Sequence, residues 1–181
     1  MKLKKILKAI LSENNISSMP WYHGSNTKVV KFDYAKVGTN DSHITNYHGW
    51  GIYFISKLNR AKKYGEIVTE IQISNNSNIL QKKITPNQCK QVYNGLVKNG
   101  IEVDEREDRL WLNPTYGEYS ILTDVEEFYQ AIQRFYKFTN SKQTSDFLAS
   151  CGIDGMLVIN DVNDEILVIF NDKVISVKGY L

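Results

Sequence analysis

The sequence has few cysteines and no long apolar run, and both absences exclude whole classes of protein. Only two cysteines occur among the 181 residues, Cys89 and Cys151, and neither belongs to a Cys-x-x-Cys pair. A disulfide scaffold or a zinc knuckle is therefore not expected. No segment approaches the roughly 18 apolar residues of a membrane span, and Lys8 interrupts the N-terminal apolar stretch that a signal peptide would need. We therefore expect a reduced, cytoplasmic protein without a membrane span.

The common phosphate-binding and metal-binding patterns are also missing. Neither Gly-x-Gly-x-x-Gly nor Gly-x-x-x-x-Gly-Lys-Ser/Thr occurs. The three histidines, His23, His43 and His48, are irregularly spaced among few carboxylates, unlike the ligand sets of zinc sites. Ser25 follows His23 at i+2, but neighbours at this spacing on one strand rarely have the geometry of a nucleophile and its base. We therefore expect chemistry without a bound metal.

The chain does have the composition of a globular domain. Hydrophobic residues make up 42% and aromatic residues 12%, which suffices for a sizeable core. Lys and Arg number 22 against 20 for Asp and Glu, a balance that argues against a disordered chain or a dedicated polyanion binder. Residues 1–18 predict a basic amphipathic helix and a polar hinge. We favour packing of this helix on its own domain, residues 19–181, over a membrane or an acidic partner.

Short β-branched and aromatic runs alternate irregularly with helical patterns, which favours an α+β fold. Ser56 is predicted to be the N-cap of a short helix that stops at Gly65, and a further helix over 145–150 is predicted to end at Gly152. The last three runs, separated by Asn/Asp turns, predict a C-terminal meander. The predicted strands are 21–25, 51–55, 67–73, 156–159, 165–170 and 174–177.

Two capping-box patterns precede the longer predicted helices. Thr85 with Gln88 marks the first start, and Thr123 with Glu126 marks the second. The apolar stripe of the first helix explains Cys89 as a core residue without any chemistry. The aromatic stripe of the second helix is also interpreted as core.

Three stretches, in their order along the chain, resemble the ADP-ribosyltransferase superfamily. They are Trp21-Tyr22-His23-Gly24-Ser25, then Gly49-Trp50-Gly51-Ile52-Tyr53-Phe54 with a trailing Ala-x-x-Tyr, then the strand from Asp164-Glu165 to Phe170. The sequence is most similar to the diphtheria-toxin and poly(ADP-ribose) polymerase branch, whose signature is a His, a Tyr and a Glu on three strands. It also resembles small bacterial and phage members, in which a Gly-x-Asp-Gly turn like residues 152–155 precedes the Glu strand.

This resemblance implies an ADP-ribosyltransferase-like α+β fold, with short, mostly antiparallel strands in two packed sheets flanked by helices. It implies an enzyme that cleaves the nicotinamide-ribose bond of NAD and transfers ADP-ribose to a macromolecular acceptor. For so small a chain, we expect modification at single sites and not polymer growth. A protein acceptor is favoured over nucleic acid. NAD would be the substrate, with no metal. Two alternatives stay open: an NAD glycohydrolase, and an inactive module of the same fold that binds NAD or a partner.

The resemblance also implies which residues contact NAD. On the family pattern, His23 bonds the adenosine-side ribose, and the Gly24 backbone bonds the nicotinamide carboxamide, with Ser25 beside them. Tyr53 and Tyr64 match the two tyrosines that sandwich the nicotinamide ring. An imidazole offers one donor and one acceptor, and offset aromatic stacking contributes about 0.5 to 1.5 kcal/mol. Each role therefore suits its side chain chemically.

Glu165 is the expected catalytic carboxylate, together with His23 and Tyr53. A fixed carboxylate stabilises the oxocarbenium character of the breaking bond and can accept the proton of the acceptor. Glu118 is the rival candidate, although no strands follow it in the expected pattern. Ala61 departs from the polymerase-like pattern, which often has a serine there to bond the carboxamide.

Overall fold

The structure, a computed structural model, describes residues 16–39, 48–82, 84–103, 124–160 and 163–181. It confirms an α+β fold. The predicted basic helix, His43 and the rival Glu118 lie outside these residues. The strands are β1 (Trp21–Ser25), β2 (Ile52–Ile55), β3 (Ile67–Ile73), β4 (Ile79–Leu80), β5 (Gly155–Ile159), β6 (Glu165–Ile169) and β7 (Ile175–Tyr180); the helices are α1 (Leu58–Ala61), α2 (Pro86–Lys98), α3 (Val125–Phe135) and α4 (Ser141–Ser150).

The described strands form one seven-stranded sheet, in the order β4-β5-β6-β2-β1-β3-β7. All neighbours are antiparallel except β4 and β5, as expected for mostly antiparallel strands. The expected two packed sheets are not confirmed, since Tyr22 of β1 pairs with Ile55 of β2 and joins the described strands in one sheet. The predicted C-terminal meander is wrong after the β5-β6 hairpin, since β7 pairs with β3 at the far edge.

Apolar side chains alternate between the two faces of the sheet and build a core on each. Along β6, Val168 belongs to the core under helices α2 to α4, here called the helix-side core, whereas Leu167 and Ile169 belong to the opposite core. The opposite core also contains Trp21 and Phe54. The aromatic residues predicted as core in α3 are buried, apart from Phe135, which is 41% exposed; the buried ones are Phe128, Tyr129 and Tyr136.

The two longer predicted helices begin with side-chain caps, although only one cap is the predicted residue. The Thr85 hydroxyl accepts from the Gln88 amide at 3.2 Å, and the Gln88 side chain accepts from the Thr85 amide at 2.9 Å, which confirms the first capping box. The second helix, α3, is capped by Asp124, and Thr123, the predicted cap, lies outside the described residues. The Asp124 carboxylate accepts from the Glu126 amide at 2.8 Å, and it is favoured there because the helix N-terminus carries positive partial charge.

Helix α1 is a single turn whose predicted ends are both wrong. Its N-cap is Lys57 and not Ser56, and no side-chain hydrogen bond caps it. It ends at Ala61, so Gly65 is not its stop signal. Apolar contacts with β1, β2 and β3 hold it in place. None of the described helices is both long and apolar enough to cross a membrane.

Candidate active site

The residues of β1 that the resemblance singles out lie where β1 and β2 separate. The Ser56 amide donates to the Glu165 carbonyl at 3.1 Å, so alternation along β2 turns the polar backbone groups of Ile55 toward β1. Ile55 pairs there with Tyr22, and no further register pair joins the described residues of these two strands. By the same alternation, the N–H and C=O of Gly24 face the gap beyond this pair. We call this opening the β1-β2 gap.

At the β1-β2 gap, the His23 side chain bonds a backbone carbonyl that would otherwise pair with the neighbouring strand. His23 Nδ1 lies 2.9 Å from the Tyr53 carbonyl oxygen, and because a carbonyl only accepts, Nδ1 carries the proton. The ring packs edge-on against Phe32 and Phe54, with centroids 5.2 and 5.9 Å away. This burial lowers the pKa of His23, and the bond to Tyr53 only partly opposes it. The ring is therefore neutral near pH 7, and Nε2 is left as a hydrogen-bond acceptor.

The segment after α1 packs directly against the end of β1. A Cβ atom at Gly24 would lie well inside 3.0 Å of the Ala61 carbonyl oxygen, and one at Gly65 would lie equally close to the Ser25 backbone. Neither glycine has a positive φ, so close packing explains both. The Ser25 hydroxyl donates to the Thr27 carbonyl at 2.6 Å. Strand β1 and the residues from Ala61 to Gly65 thus form one tight crossing.

The two tyrosines of the expected sandwich lie in different surroundings. Tyr53 packs against the helix-side core, and its hydroxyl donates to the Gly49 carbonyl at 2.5 Å. Burial raises the pKa of this hydroxyl, so it stays protonated. Tyr64 is 71% exposed, and its β-carbon lies 3.1 Å from where a Cβ atom at Gly24 would be. The two rings do not contact each other directly, and Tyr64 stands beside the β1-β2 gap with its ring in solvent.

Glu165 begins β6 and is partly exposed. Alternation places its side chain on the same face as Leu167, and that face also holds the aromatic neighbours of His23. Tyr53 is on the other face. The registers place His23 opposite Phe54 and Phe54 opposite Leu167, so Glu165 is two strand spacings across the sheet and two residues along β6 from His23, roughly 12 Å away.

The glycines of the Gly-x-Gly stretch are explained by packing. Gly49 has φ of +107°, and a Cβ atom there would lie 2.9 Å from the Tyr129 ring. A Cβ atom at Gly51 would lie 2.7 Å from the Ile169 carbonyl oxygen, so Gly51 allows β2 to close against β6. Between them, the Trp50 amide donates to the Tyr129 hydroxyl at 3.3 Å. This stretch therefore fixes the start of β2 before any ligand binds.

The Gly-x-Asp-Gly turn also has a structural role. The Asp154 carboxylate accepts from the Asn78 amide and from the Asn171 side chain, each at 2.7 Å. Its backbone carbonyl accepts from the Phe170 amide at 2.8 Å. Asp154 therefore ties the starts of β4 and β5 to the end of β6, at the end of β6 away from Glu165.

One cluster beside Glu165 was missed by the sequence analysis. Asp164 is 3% exposed and forms ion pairs with Lys57, at 2.7 Å, and with Arg60, at 2.8 Å. In the sequence, the three-residue spacing of Lys57 and Arg60 at a short predicted helix could have indicated that the two cations act together. Nothing in the sequence connects them to a carboxylate more than a hundred residues away.

The remaining described histidine, His48, pairs with a carboxylate. Its Nδ1 lies 2.6 Å from Glu126 Oε1 at the start of α3, and both side chains are partly buried. Within the described ranges, no three His, Cys, Asp or Glu side chains are grouped as a metal site would require. His48 therefore ties the segment before β2 to helix α3.

No known protein family, curated protein or solved structure matches the chain. The similarity to ADP-ribosyltransferases is therefore a likeness of three short motifs in order. Functional inference depends on what the residues at the β1-β2 gap and at the start of β6 can do chemically.

Proposed function

We propose that the protein is an NAD-dependent ADP-ribosyltransferase that binds NAD at the β1-β2 gap. The proposal is supported by the groups of His23, Gly24 and Tyr64 that lie together at this gap. A neutral His23 offers an acceptor to a ribose hydroxyl, and the Gly24 backbone offers a donor and an acceptor suited to a carboxamide. The exposed ring of Tyr64 beside them offers a flat face to a pyridinium ring.

The separation of His23 and Glu165 favours a dinucleotide over a small sugar. Both side chains belong to one face of the sheet, with β2 between them, about 12 Å apart. A ligand that contacts both must be extended. NAD has two riboses joined by a diphosphate, so one ribose can reach each side chain.

The chemistry proposed at Glu165 needs no metal. The bond between nicotinamide nitrogen and ribose C1′ breaks, its electron pair leaves with neutral nicotinamide, and positive charge develops on the ribose. A carboxylate close to that ribose stabilises the charge. The nucleophile of the acceptor then bonds to C1′ and gives its proton to Glu165. If water is the nucleophile, the same steps hydrolyse NAD.

The proposal extends to the fold and the acceptor. A single register pair joins β1 to β2, and we propose this junction as the boundary between the two sheets of an ADP-ribosyltransferase-like fold. We retain a protein acceptor, modified at single sites in the cytoplasm, as the expected second substrate.

The test is to incubate the wild type and Glu165→Gln with labelled NAD and cell lysate, following nicotinamide release and label transfer. Glu165→Gln keeps the shape of the side chain and removes its charge, so release should fall at least about 100-fold. Glu102→Gln, the same change at an exposed glutamate outside the candidate site, should behave like the wild type. Equal rates in the wild type and Glu165→Gln would remove Glu165 from catalysis.

The products of the same experiment separate the alternatives. Label in protease-sensitive material supports a protein acceptor, and label in nuclease-sensitive material contradicts it. Free ADP-ribose without labelled macromolecules indicates an NAD glycohydrolase. No nicotinamide release by the wild type, combined with measurable NAD binding, indicates an inactive binding module.

A further inference from the structure

The turn that leads into Glu165 is anchored by a buried carboxylate. The two oxygens of Asp164 contact different cations, Lys57 Nζ at 2.7 Å and Arg60 Nε at 2.8 Å. Lys57 Nζ also donates to the Asn163 carbonyl at 3.2 Å. The hydrogen bond from Lys57, with a further contribution from Arg60, lowers the pKa of Asp164. The carboxylate therefore stays ionised at neutral pH. We call these three charged residues the Asp164 clamp.

Stability alone is a poor explanation for the Asp164 clamp. Removing a carboxylate from water is costly, and apolar side chains of similar volume often stabilise a fold as well or better. The Lys57 side chain is 48% exposed, and ion pairs with exposed partners contribute little. What two charge-assisted bonds in fixed directions do provide is a defined geometry.

The backbone on both sides of Asp164 is also fixed. The Asp164 amide donates to the Asn160 side chain at 2.9 Å, and the Asn160 amide donates to the Asp164 carbonyl at 3.1 Å. Asn163 has φ of +55°, a conformation that asparagine tolerates better than most residues. The next carbonyl, that of Glu165, accepts from the Ser56 amide. Backbone hydrogen bonds therefore hold the chain at Asp164 and at Glu165 itself.

Helix α1 connects this turn to the other end of the candidate site. Both cations of the clamp belong to α1 or its N-cap, and the Ala61 carbonyl at its last residue packs on Gly24. The same carbonyl accepts from the Tyr64 amide at 3.0 Å. One helical turn thus separates the clamp from the crossing at β1. A shift of Asp164 relative to α1 would move Glu165 relative to Gly24 and Tyr64.

We propose that Asp164, Lys57 and Arg60 are positioning residues, which hold Glu165 at a fixed distance from the Gly24 end of the site without contacting the substrate. The inference depends on the proposed function, because the group being positioned is its catalytic carboxylate. Misplacing a reacting group by about 1 Å can cost about 100-fold in rate. Loss of the clamp should therefore slow the chemical step more than it weakens NAD binding.

The kinetic test measures nicotinamide release by Asp164→Asn, Lys57→Gln and Arg60→Gln. The expected result is a kcat lower by roughly 10- to 100-fold with KM changed by less than about threefold. Lys57→Arg keeps the charge and should restore most of kcat. Lys142→Gln breaks an exposed pair with Asp146, at 2.6 Å, and should leave kcat unchanged.

A double-mutant cycle then asks whether the clamp acts as one unit. Lys57→Gln combined with Asp164→Asn should lose little more than the worse single variant. Losses that multiply would overturn the proposal, as would a raised KM with an unchanged kcat, which would mean direct contact with NAD. If Asp164→Asn does not fold, the kcat and KM of Lys57→Gln and Arg60→Gln, whose side chains are both partly exposed, still decide between positioning and direct contact with NAD.

Hydrogen exchange tests whether the clamp couples the two segments without measuring catalysis. In Lys57→Gln, amides at the start of β6 and in the Tyr64–Gly65 segment should exchange faster together, because α1 connects them. Faster exchange at the β6 end alone would overturn the link. If the wild type releases no nicotinamide, the proposed function fails, and the exchange result still decides whether the clamp couples the two segments.

Discussion

Strand β2 has two neighbours and joins them in different ways. On one side it forms four register pairs with β6, from Ile52 with Ile169 to Ile55 with Ile166. On the other side it forms one register pair with β1, and beyond it the His23 side chain bonds the Tyr53 carbonyl. The β2-β6 junction is closed, and the β1-β2 junction is open.

The difference shows how one sheet can supply both a core and a site. At the closed junction, apolar residues alternate onto both faces and Gly51 lets the strands approach. At the open junction, a polar side chain replaces a ladder bond, and the backbone groups of Gly24 become available to a ligand. The candidate site therefore lies where pairing stops, next to a junction that keeps it rigid.

Gly24→Ala should break the open junction and has the largest expected effect. Its Cβ atom would collide with the Ala61 carbonyl and push α1 away from β1. Because Tyr64 and the Asp164 clamp are attached to this helix, nicotinamide release should fall about 100-fold or more. The measurement is kcat/KM on protein that circular dichroism shows to be folded. An unchanged kcat/KM would contradict the account.

Gly51→Ala should instead damage the closed junction. Its Cβ atom would lie 2.7 Å from the Ile169 carbonyl, and such overpacking costs about 1 to 3 kcal/mol of unfolding free energy. The effect is measured by urea denaturation. Nicotinamide release per folded molecule should stay within about threefold of the wild type. If this variant lost activity and kept its stability, the two junctions would not differ as described.

The pH dependence of stability should reveal the buried His23. Its folded pKa lies below its ordinary value of 6.5, so the unfolded chain binds a proton more readily. The free energy of unfolding should therefore fall as pH decreases below 6.5, by at most about 1.4 kcal/mol per pH unit. Above pH 6.5, His23 should add no pH dependence to the stability. The His23→Gln variant should lack this component in denaturation curves measured from pH 7.5 to 5. Identical slopes would show that His23 is not held neutral.

Tyr64→Ala should give the smallest effect, confined to NAD binding. Loss of one stacking partner should cost about 0.5 to 1.5 kcal/mol of binding free energy, which is roughly a twofold to thirteenfold weaker Kd. The melting temperature should not change, because the ring is 71% exposed. Tyr64→Phe keeps the stacking face and should bind NAD like the wild type. Equal Kd values for the Ala and Phe variants would remove Tyr64 from the site.

Elements defined by local patterns were predictable from the sequence. The strands β1 and β3 have their predicted bounds, and the capping box at Thr85 forms as expected. The two-residue strand β4 was missed, since Ile79 and Leu80 are too short a run to show alternation. Helix α4 begins at Ser141, earlier than predicted, where Asn140 caps it.

Features that depend on long-range contacts were not predictable. Gly65 was interpreted as a helix stop, but it is explained by contact with Ser25, which no local pattern reveals. The joining of the sheet through Tyr22 and the pairing of β7 with β3 depend on strand order. For the site, the motifs indicated candidate residues, whereas the tautomer of His23 follows only from the position of the Tyr53 carbonyl.

The most direct test of the central claim is to locate bound NAD by hydrogen exchange. Glu165→Gln is the suitable protein, since it should bind NAD without consuming it. At saturating NAD, exchange should slow at residues 23–25 and 64–65, beside the β1-β2 gap, with no change in β7 at the sheet edge. Protection confined to another region, or none at saturation, would contradict the assignment of the β1-β2 gap as the NAD site.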